Sequence, residues 1–180
     1  MTTQPARPAY DRTSIVPGTG YELRGPEPRT ATGPASRRRT VTYPLISTMP
    51  PLGALPTAPG AARAHVRSTL AEWHMATYEE VAILLASELV TNAVEASTDG
   101  HGNPVYINGQ MALVIFRMLA NRKGLLLEVW DMIATAPVVQ NAGALDEHGR
   151  GMLLVQTLAT RWSWKKAPDW PGKCVWAEIA

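Results

Sequence analysis

The pattern of hydrophobic and polar positions is most regular between Glu79 and Ser97, in the stretch EEVAILLASELVTNAVEAS. At 3.6 residues per turn, the apolar residues form one broad helix face, made of Val81, Ala82, Leu85, Ala86, Leu89, Val90, Ala93 and Val94. The opposite face carries Glu88 and Asn92, which stand four residues apart and project from neighbouring turns toward the same point. The pattern predicts a long amphipathic helix that presents a carboxylate beside an amide oxygen. Taken alone, such a pair more often belongs to an ordinary solvated surface, because short patterns match by accident.

Two further helices are predicted from the same periodicity. One runs from about Ala61 to Trp73, and the other lies in HGRGMLLVQTLATRW, with an apolar stripe of Leu153, Leu154, Leu158 and Trp162. Gly149 and Gly151 flank Arg150 at the start of the second of these helices. Glycines at a helix N-terminus leave backbone N–H groups free to approach an anion, which the helix dipole also favours. The same residues also fit an ordinary glycine-rich helix start.

Strand candidates occupy the second half of the chain. Two of them, about Met111 to Leu119 and Leu125 to Trp130, are separated by the turn sequence Asn-Arg-Lys-Gly, which predicts a hairpin. Two more strands are predicted in SWKK and CVWAEIA near the C-terminus. Asp131 ends a buried strand, at the place where ligands usually bind in α/β sheets. A carboxylate that only caps the following turn is an alternative of comparable weight. Residues 132–148 lack periodicity and predict a mobile surface segment.

The first 60 residues differ in composition from the rest of the chain. They hold 11 of the 15 prolines and no sustained periodicity, so we expect a disordered tail over residues 1–60 and one domain over 61–180. An edge strand is the one element that Thr40 to Ser47 could add, because Pro44 is tolerated only at a sheet edge. Seven arginines in the tail oppose three acidic residues, which leaves ten basic and twelve acidic residues in 61–180.

Charge and composition exclude several classes of protein. The predicted domain is slightly acidic, whereas a nucleic-acid-binding domain normally shows a basic face, so nucleic acid is not an expected partner. The longest apolar stretch, Met111 to Ala120, is too short for a membrane span and contains Arg117. No export signal is recognised at the N-terminus, and we expect a cytoplasmic protein. The single cysteine, Cys174, excludes an internal disulfide, argues against a structural zinc site, and is expected to pack as a small apolar residue in a strand.

The words SELVTNAV, VWD, GRGMLLV and GKCVWAEI, in this order, resemble the GHKL superfamily of gyrase-type ATPases and histidine-kinase catalytic domains. They look most like its small stand-alone ATP-binding regulators, the anti-sigma-factor serine/threonine kinases. The resemblance covers roughly residues 61–180, and its specificity comes from the order of the four segments. It implies an α+β fold, a two-layer sandwich in which a mixed, largely antiparallel sheet carries three helices on one face.

The resemblance implies a role for each matching residue. Glu88 matches the general base that takes the proton from the attacking serine hydroxyl, and Asn92 matches the Mg²⁺ ligand that ties the metal to the triphosphate. Asp131 matches the acid that accepts a hydrogen bond from the adenine amino group, and so selects adenine over guanine. ATP and Mg²⁺ are therefore the implied cofactors.

The phosphate end of the implied site involves the predicted third helix. Gly149 and Gly151 match the glycines that let the lid and helix start approach the phosphates, and Arg150 could add positive charge there. The nucleotide would lie between the helix layer and residues 132–148. Positioning and electrostatics would carry most of the catalysis, as in other phosphoryl transfers.

The chain departs from the family pattern at the base end of the site. Met132, Ile133 and Ala134 follow Asp131, where many members have Asp-x-Gly-x-Gly. The closing motif often has a threonine near the adenine, whereas this chain has Lys173 and then Cys174. Glu95 and Ala96 also stand where related regulators often carry basic residues.

The resemblance implies protein partners, a sigma factor and the antagonist protein that the kinase would phosphorylate, and it allows a homodimer. A non-catalytic interaction module, in which nucleotide only sets partner affinity, is the alternative. A two-component histidine kinase is disfavoured because no dimerising helix with a phosphoacceptor histidine precedes the domain. An unrelated α/β domain would have to match four segments in order by chance.

Overall fold

The structure is a computed structural model, and it describes residues 42–137, 150–167 and 171–180. The helices are α1 (Ala58–Glu72), α2 (Glu79–Ala96) and α3 (Arg150–Leu158), with one 3₁₀ turn at Ala76–Tyr78. The strands are β1 (Leu45–Thr48), β2 (Leu52–Gly53), β3 (Tyr106–Ile107), β4 (Gln110–Met111), β5 (Leu113–Asn121), β6 (Gly124–Asp131), β7 (Arg161–Lys166) and β8 (Lys173–Ile179).

One main sheet organises the described part of the chain. Its strands lie in the order β1-β5-β6-β8-β7, and β2 also pairs with β5. Every pairing among the described strands is antiparallel. The register places Asp131 at the end of β6 opposite Lys173, the first residue of β8. The predicted largely antiparallel sheet is therefore confirmed, and the two candidate site strands β6 and β8 are neighbours.

Three helices pack on one face of this sheet, which confirms the two-layer α+β sandwich. The inward residues of α2 and of the central strands form one core, which includes Leu85, Leu89, Phe116, Leu127 and Val175. The apolar face predicted for α2 is buried in this core, and Val81 packs at its edge. None of the helices among the described residues has the length and hydrophobicity that crossing a membrane requires.

The other face of the sheet holds a buried ion pair. Arg117 Nε donates a hydrogen bond to Glu128 Oε2 at 2.8 Å, between adjacent positions of β5 and β6. The Arg117 guanidinium also lies 4.5 Å from the ring centroid of Trp130. Both charged side chains are almost fully buried, so this pair is part of the interior rather than a surface salt bridge.

The predicted elements differ from the observed ones mainly at the end of the third helix, α3. The pattern places Trp162 on the apolar stripe of the third helix, and that prediction is wrong, since α3 ends at Leu158 and Trp162 lies in β7. The chain turns before β7 because the N–H of Thr160 bonds to the carbonyl of Glu178 in β8, which draws the backbone into the sheet. Trp162 still packs against the core, but from a strand.

The N-terminal part of the described chain contains regular structure. β1 forms an edge strand directly after Pro44, as the Thr40–Ser47 pattern predicts. α1 begins at Ala58 with Pro59 in its first turn, where proline lacks no helical hydrogen bond. β1, β2 and the start of α1 therefore lie within the stretch that we predict as tail. Residues 1–41 and 138–149 lie outside the described residues, and the disorder and mobility predicted there stay predictions.

Candidate functional site

Glu88 and Asn92 lie on the side of α2 that is turned away from the core. Both side chains are partly buried, whereas Leu85, Leu89 and Val90 on the opposite side are fully buried. α2 packs against α1, α3 and β6, so it is the helix that touches each of the other candidate elements. Arg63 of α1 donates a hydrogen bond to Ser87 Oγ at 3.3 Å, which links α1 to α2 beside Glu88.

The carboxylate of Glu88 lies directly against Gly151 in the first turn of α3. A Cβ atom placed on Gly151 would lie 2.4 Å from Glu88 Oε2, so a side chain at this position would require the carboxylate to move. The absence of a side chain at Gly151 is thus what lets the carboxylate reach the helix start. A negative charge near a helix N-terminus is electrostatically favourable. The structure brings together Glu88 and Gly151, which are 63 residues apart in the sequence.

The Glu88 carboxyl has altered proton affinity. Burial raises its pKa above the ordinary value, and the charge of Glu95, two turns further along α2, raises the pKa further. A raised pKa makes the carboxylate a stronger proton acceptor, which suits a general base.

Asp131 is buried at the end of β6 and is held from two sides. The N–H of Ile133 donates to Oδ1 at 2.8 Å, and Nζ of Lys173 lies 2.8 Å from Oδ2. The same ammonium donates to the carbonyl oxygen of Ile133 at 3.1 Å. Burial raises the pKa of Asp131, although the ammonium of Lys173 and the N–H of Ile133 act in the opposite direction. The first bond agrees with the capping role considered from the sequence, and the second contact was not expected.

The backbone beside this pair is closely packed. A Cβ atom on Gly172 would lie only 1.7 Å from the carbonyl oxygen of Asp131, so only glycine fits there. Lys173 therefore directly follows a glycine whose position is fixed by close packing. The sequence contained a signal for it, because Lys173 falls in the same alternation as Val175, Ala177 and Ile179, which face the core.

The remaining predicted residues cannot all be placed. Arg150 is the first residue of α3, but its side chain lies outside the described part of the structure, and so does Gly149. Two contacts between distant residues are nevertheless described. Glu88 contacts Gly151 where α2 meets α3, and Asp131 pairs with Lys173 where β6 meets β8. A family model for the histidine kinase-like ATPase domain matches residues 52–179, which is more than half of the 180-residue chain. The chain belongs to the histidine kinase-like ATPase family. A search of curated proteins finds no match.

Membership in the histidine kinase-like ATPase family supports an ATP-binding regulatory function, since domains of this family bind ATP, generally with Mg²⁺. The residues predicted for the phosphate end have chemistry that fits such ligands. Asn92 and Glu88 offer hard oxygen atoms, and Mg²⁺ usually takes one or two protein ligands together with phosphate oxygens. Within the described ranges no three His, Cys, Asp or Glu side chains gather as a metal site.

The predicted adenine-binding end of this histidine kinase-like ATPase domain fits an ATP ligand less simply. Asp131 lies at the end of β6, where the sequence places it, and the role of its carboxylate as acceptor of the adenine amino group stays a prediction. That carboxylate is already engaged by Lys173 and by the backbone of Ile133. The acceptor is present, but its contacts are made within the protein.

Proposed function

We propose that this protein is an ATP-dependent serine/threonine protein kinase of the anti-sigma-factor type, which transfers the γ-phosphate of ATP to an antagonist protein. The observation that carries the proposal is the contact between the Glu88 carboxylate and Gly151, because it sets a candidate base against the helix start at the phosphate end. The partners would be a sigma factor and its antagonist. The family match and the order of the four sequence segments support the same reading.

In this proposal each residue has a separate task. Asn92 holds Mg²⁺, which when bound would neutralise charge on the phosphate oxygens. Asp131 orients the adenine ring, and Gly151 leaves room for the phosphates and for the Glu88 carboxylate. Arg150 and Gly149, which precede Gly151 in the chain, would complete the phosphate contacts.

Glu88 acts on the proton of the substrate hydroxyl. As the hydroxyl oxygen forms its bond to the γ-phosphorus, Glu88 accepts the hydroxyl proton, and the bond from the γ-phosphorus to the bridging oxygen breaks to leave ADP. The products are a phosphoserine or phosphothreonine, ADP and a protonated Glu88, which returns its proton to solvent. Proton transfer of this kind contributes roughly 10²- to 10⁴-fold to a rate.

A non-catalytic nucleotide-responsive interaction module is the second candidate. The specific observation in its favour is the engagement of Asp131 by Lys173, which leaves the base acceptor occupied within the protein. In that case nucleotide would set partner affinity without turnover.

Calorimetric titration of Mg²⁺-ATP and Mg²⁺-GTP into the wild-type protein, Asn92→Ala and Asp131→Ala tests the proposed site. Saturable ATP binding that is preferred over GTP and is lost in Asp131→Ala supports it. Transfer of labelled γ-phosphate to a library of serine and threonine peptides then separates the two candidates, with Glu88→Gln as the inactive variant. Glu80→Gln is the matched control, because Glu80 is an exposed carboxylate in the first turn of the same helix.

The outcomes distinguish the candidates. Glu88-dependent transfer supports the kinase, while ATP binding without transfer supports the interaction module. No binding of ATP by folded protein at millimolar concentration contradicts both.

A further inference from the structure

A lysine ammonium lies beside Asp131, the residue proposed to accept the adenine amino group. Lys173 and Asp131 are 1% and 0% exposed, and their charged atoms lie 2.8 Å apart. Lys173 also donates to the carbonyl oxygen of Ile133, whose N–H bonds to the same carboxylate. The three residues thus form a polar cluster inside the domain.

The position of Lys173 is fixed by the fold. It stands opposite Asp131 in the β6–β8 register, and the preceding Gly172 packs against the Asp131 carbonyl without room for a side chain. A buried lysine held at such a point differs from a surface lysine, which pairs at little gain and exchanges freely with water. The Lys173 ammonium is therefore held in a fixed position beside the Asp131 carboxylate.

An adenine amino group and the Lys173 ammonium need the same acceptor. The amino group is a neutral donor, whereas the ammonium carries a full positive charge, so the Coulomb attraction of the carboxylate is stronger for the ammonium than for the amino group. A base that donates to Asp131 has to share the carboxylate with Lys173 or displace it. We propose that Lys173 is an affinity-determining residue, an internal competitor for the adenine amino group that weakens ATP binding by this domain. This proposal rests on the proposed ATP site.

The test compares two nucleotides that differ only in the amino group. Mg²⁺-ATP and the Mg²⁺-triphosphate of purine riboside, which lacks the amino group, are titrated into wild-type protein and Lys173→Met, which keeps the length of the side chain without its charge. We expect Lys173→Met to bind ATP at least about tenfold more tightly, since a charged hydrogen bond no longer competes. We expect its affinity for the purine riboside nucleotide to stay within about twofold of wild type.

The matched control is Lys166→Met. Lys166 lies directly across the β7–β8 pair from Lys173, but its side chain is exposed, so neither affinity should change. Lys173→Met leaves a buried carboxylate without its cation, so its fold is checked by circular dichroism. If it does not fold, the double variant Asp131→Asn with Lys173→Met removes both charges and keeps an amide oxygen as acceptor. It should then bind ATP more tightly than wild type.

Each outcome decides the proposal. Unchanged or weaker ATP binding by the folded variant overturns it, and weaker binding would mean that Lys173 itself contacts the base. An equal gain for both nucleotides also overturns it, because the gain would then not involve the amino group. If wild type binds both nucleotides and the variant shows no gain, only this inference fails. If no protein binds either nucleotide, the proposed function fails with it.

Discussion

Gly151→Ala is the substitution that tests most directly whether the Glu88 carboxylate must touch α3. The added Cβ would lie 2.4 Å from Glu88 Oε2, about 1 Å inside normal van der Waals contact. The clashing atom is the end of a flexible side chain, so the carboxylate would rotate away by about that distance while the fold is kept. Alanine also favours a helix over glycine by up to about 1 kcal/mol, so stability should not fall.

A displacement of about 1 Å at a reacting group can lower a rate by about 10²-fold. We therefore expect phosphate transfer by Gly151→Ala to fall by roughly this factor, with the melting temperature unchanged or higher. The pKa of Glu88, followed by carbon NMR of its carboxyl group, should move back toward its ordinary value, because the moved carboxylate regains water.

Gly60→Ala is the matched control for this experiment. Gly60 also lies in the first turn of a helix, but a Cβ there would have as its nearest contact Arg63 Nη2 at 3.6 Å, an ordinary distance. It should gain the same helix stability and keep full turnover. Wild-type turnover and an unchanged Glu88 pKa in Gly151→Ala would refute the argument, and so would loss of the fold.

Two further predictions concern buried charge. Glu88→Gln should lower phosphate transfer by about 10²- to 10⁴-fold and still bind ATP. Because the pKa of Glu88 is higher in the folded protein than in the unfolded chain, wild-type stability falls as pH rises between these two values. Thermal melts should show Glu88→Gln more stable than wild type above that window and equal below it, and equal melting at every pH would contradict the pKa shift. Arg117→Met should lower the free energy of unfolding by about 3–5 kcal/mol in urea, because Glu128 stays buried without its cation. Arg117→Met combined with Glu128→Leu should recover most of that loss, and a single variant within about 1 kcal/mol of wild type would show that the buried Glu128 does not depend on the charge of Arg117.

The fold could largely be predicted from periodicity. The apolar face of α2 and the alternation in β5 and β6 are strong local signals, and the predicted ends of these elements lie within about two residues of the observed ones. The small β3–β4 hairpin was not predicted: its Asn108-Gly109 turn has the positive φ that such turns require, but the flanking strands have two residues each. Strands that short carry no detectable alternation.

The candidate site was predicted only in part. The positions of Glu88, Asn92 and Asp131 on their elements follow from local sequence. The contact of Glu88 with Gly151 and that of Lys173 with Asp131 join residues distant in the chain, and their geometry depends on how α2 meets α3 and how β6 meets β8. One sequence does not specify such packing, although a lysine in an inward alternation signals a buried partner.

The strand order has a consequence for how the protein is made. β8 lies between β6 and β7, yet β7 precedes it in the chain. When β7 leaves the ribosome it has no strand to pair with, because β8, its partner in the described sheet, has not been synthesised. Trp162 and Trp164, which pack against the core from β7, therefore emerge before the strand that holds β7 in the sheet. The sheet closes only when β8 inserts, so a nascent chain stalled before Lys173 exposes both aromatic side chains and is a target for chaperones.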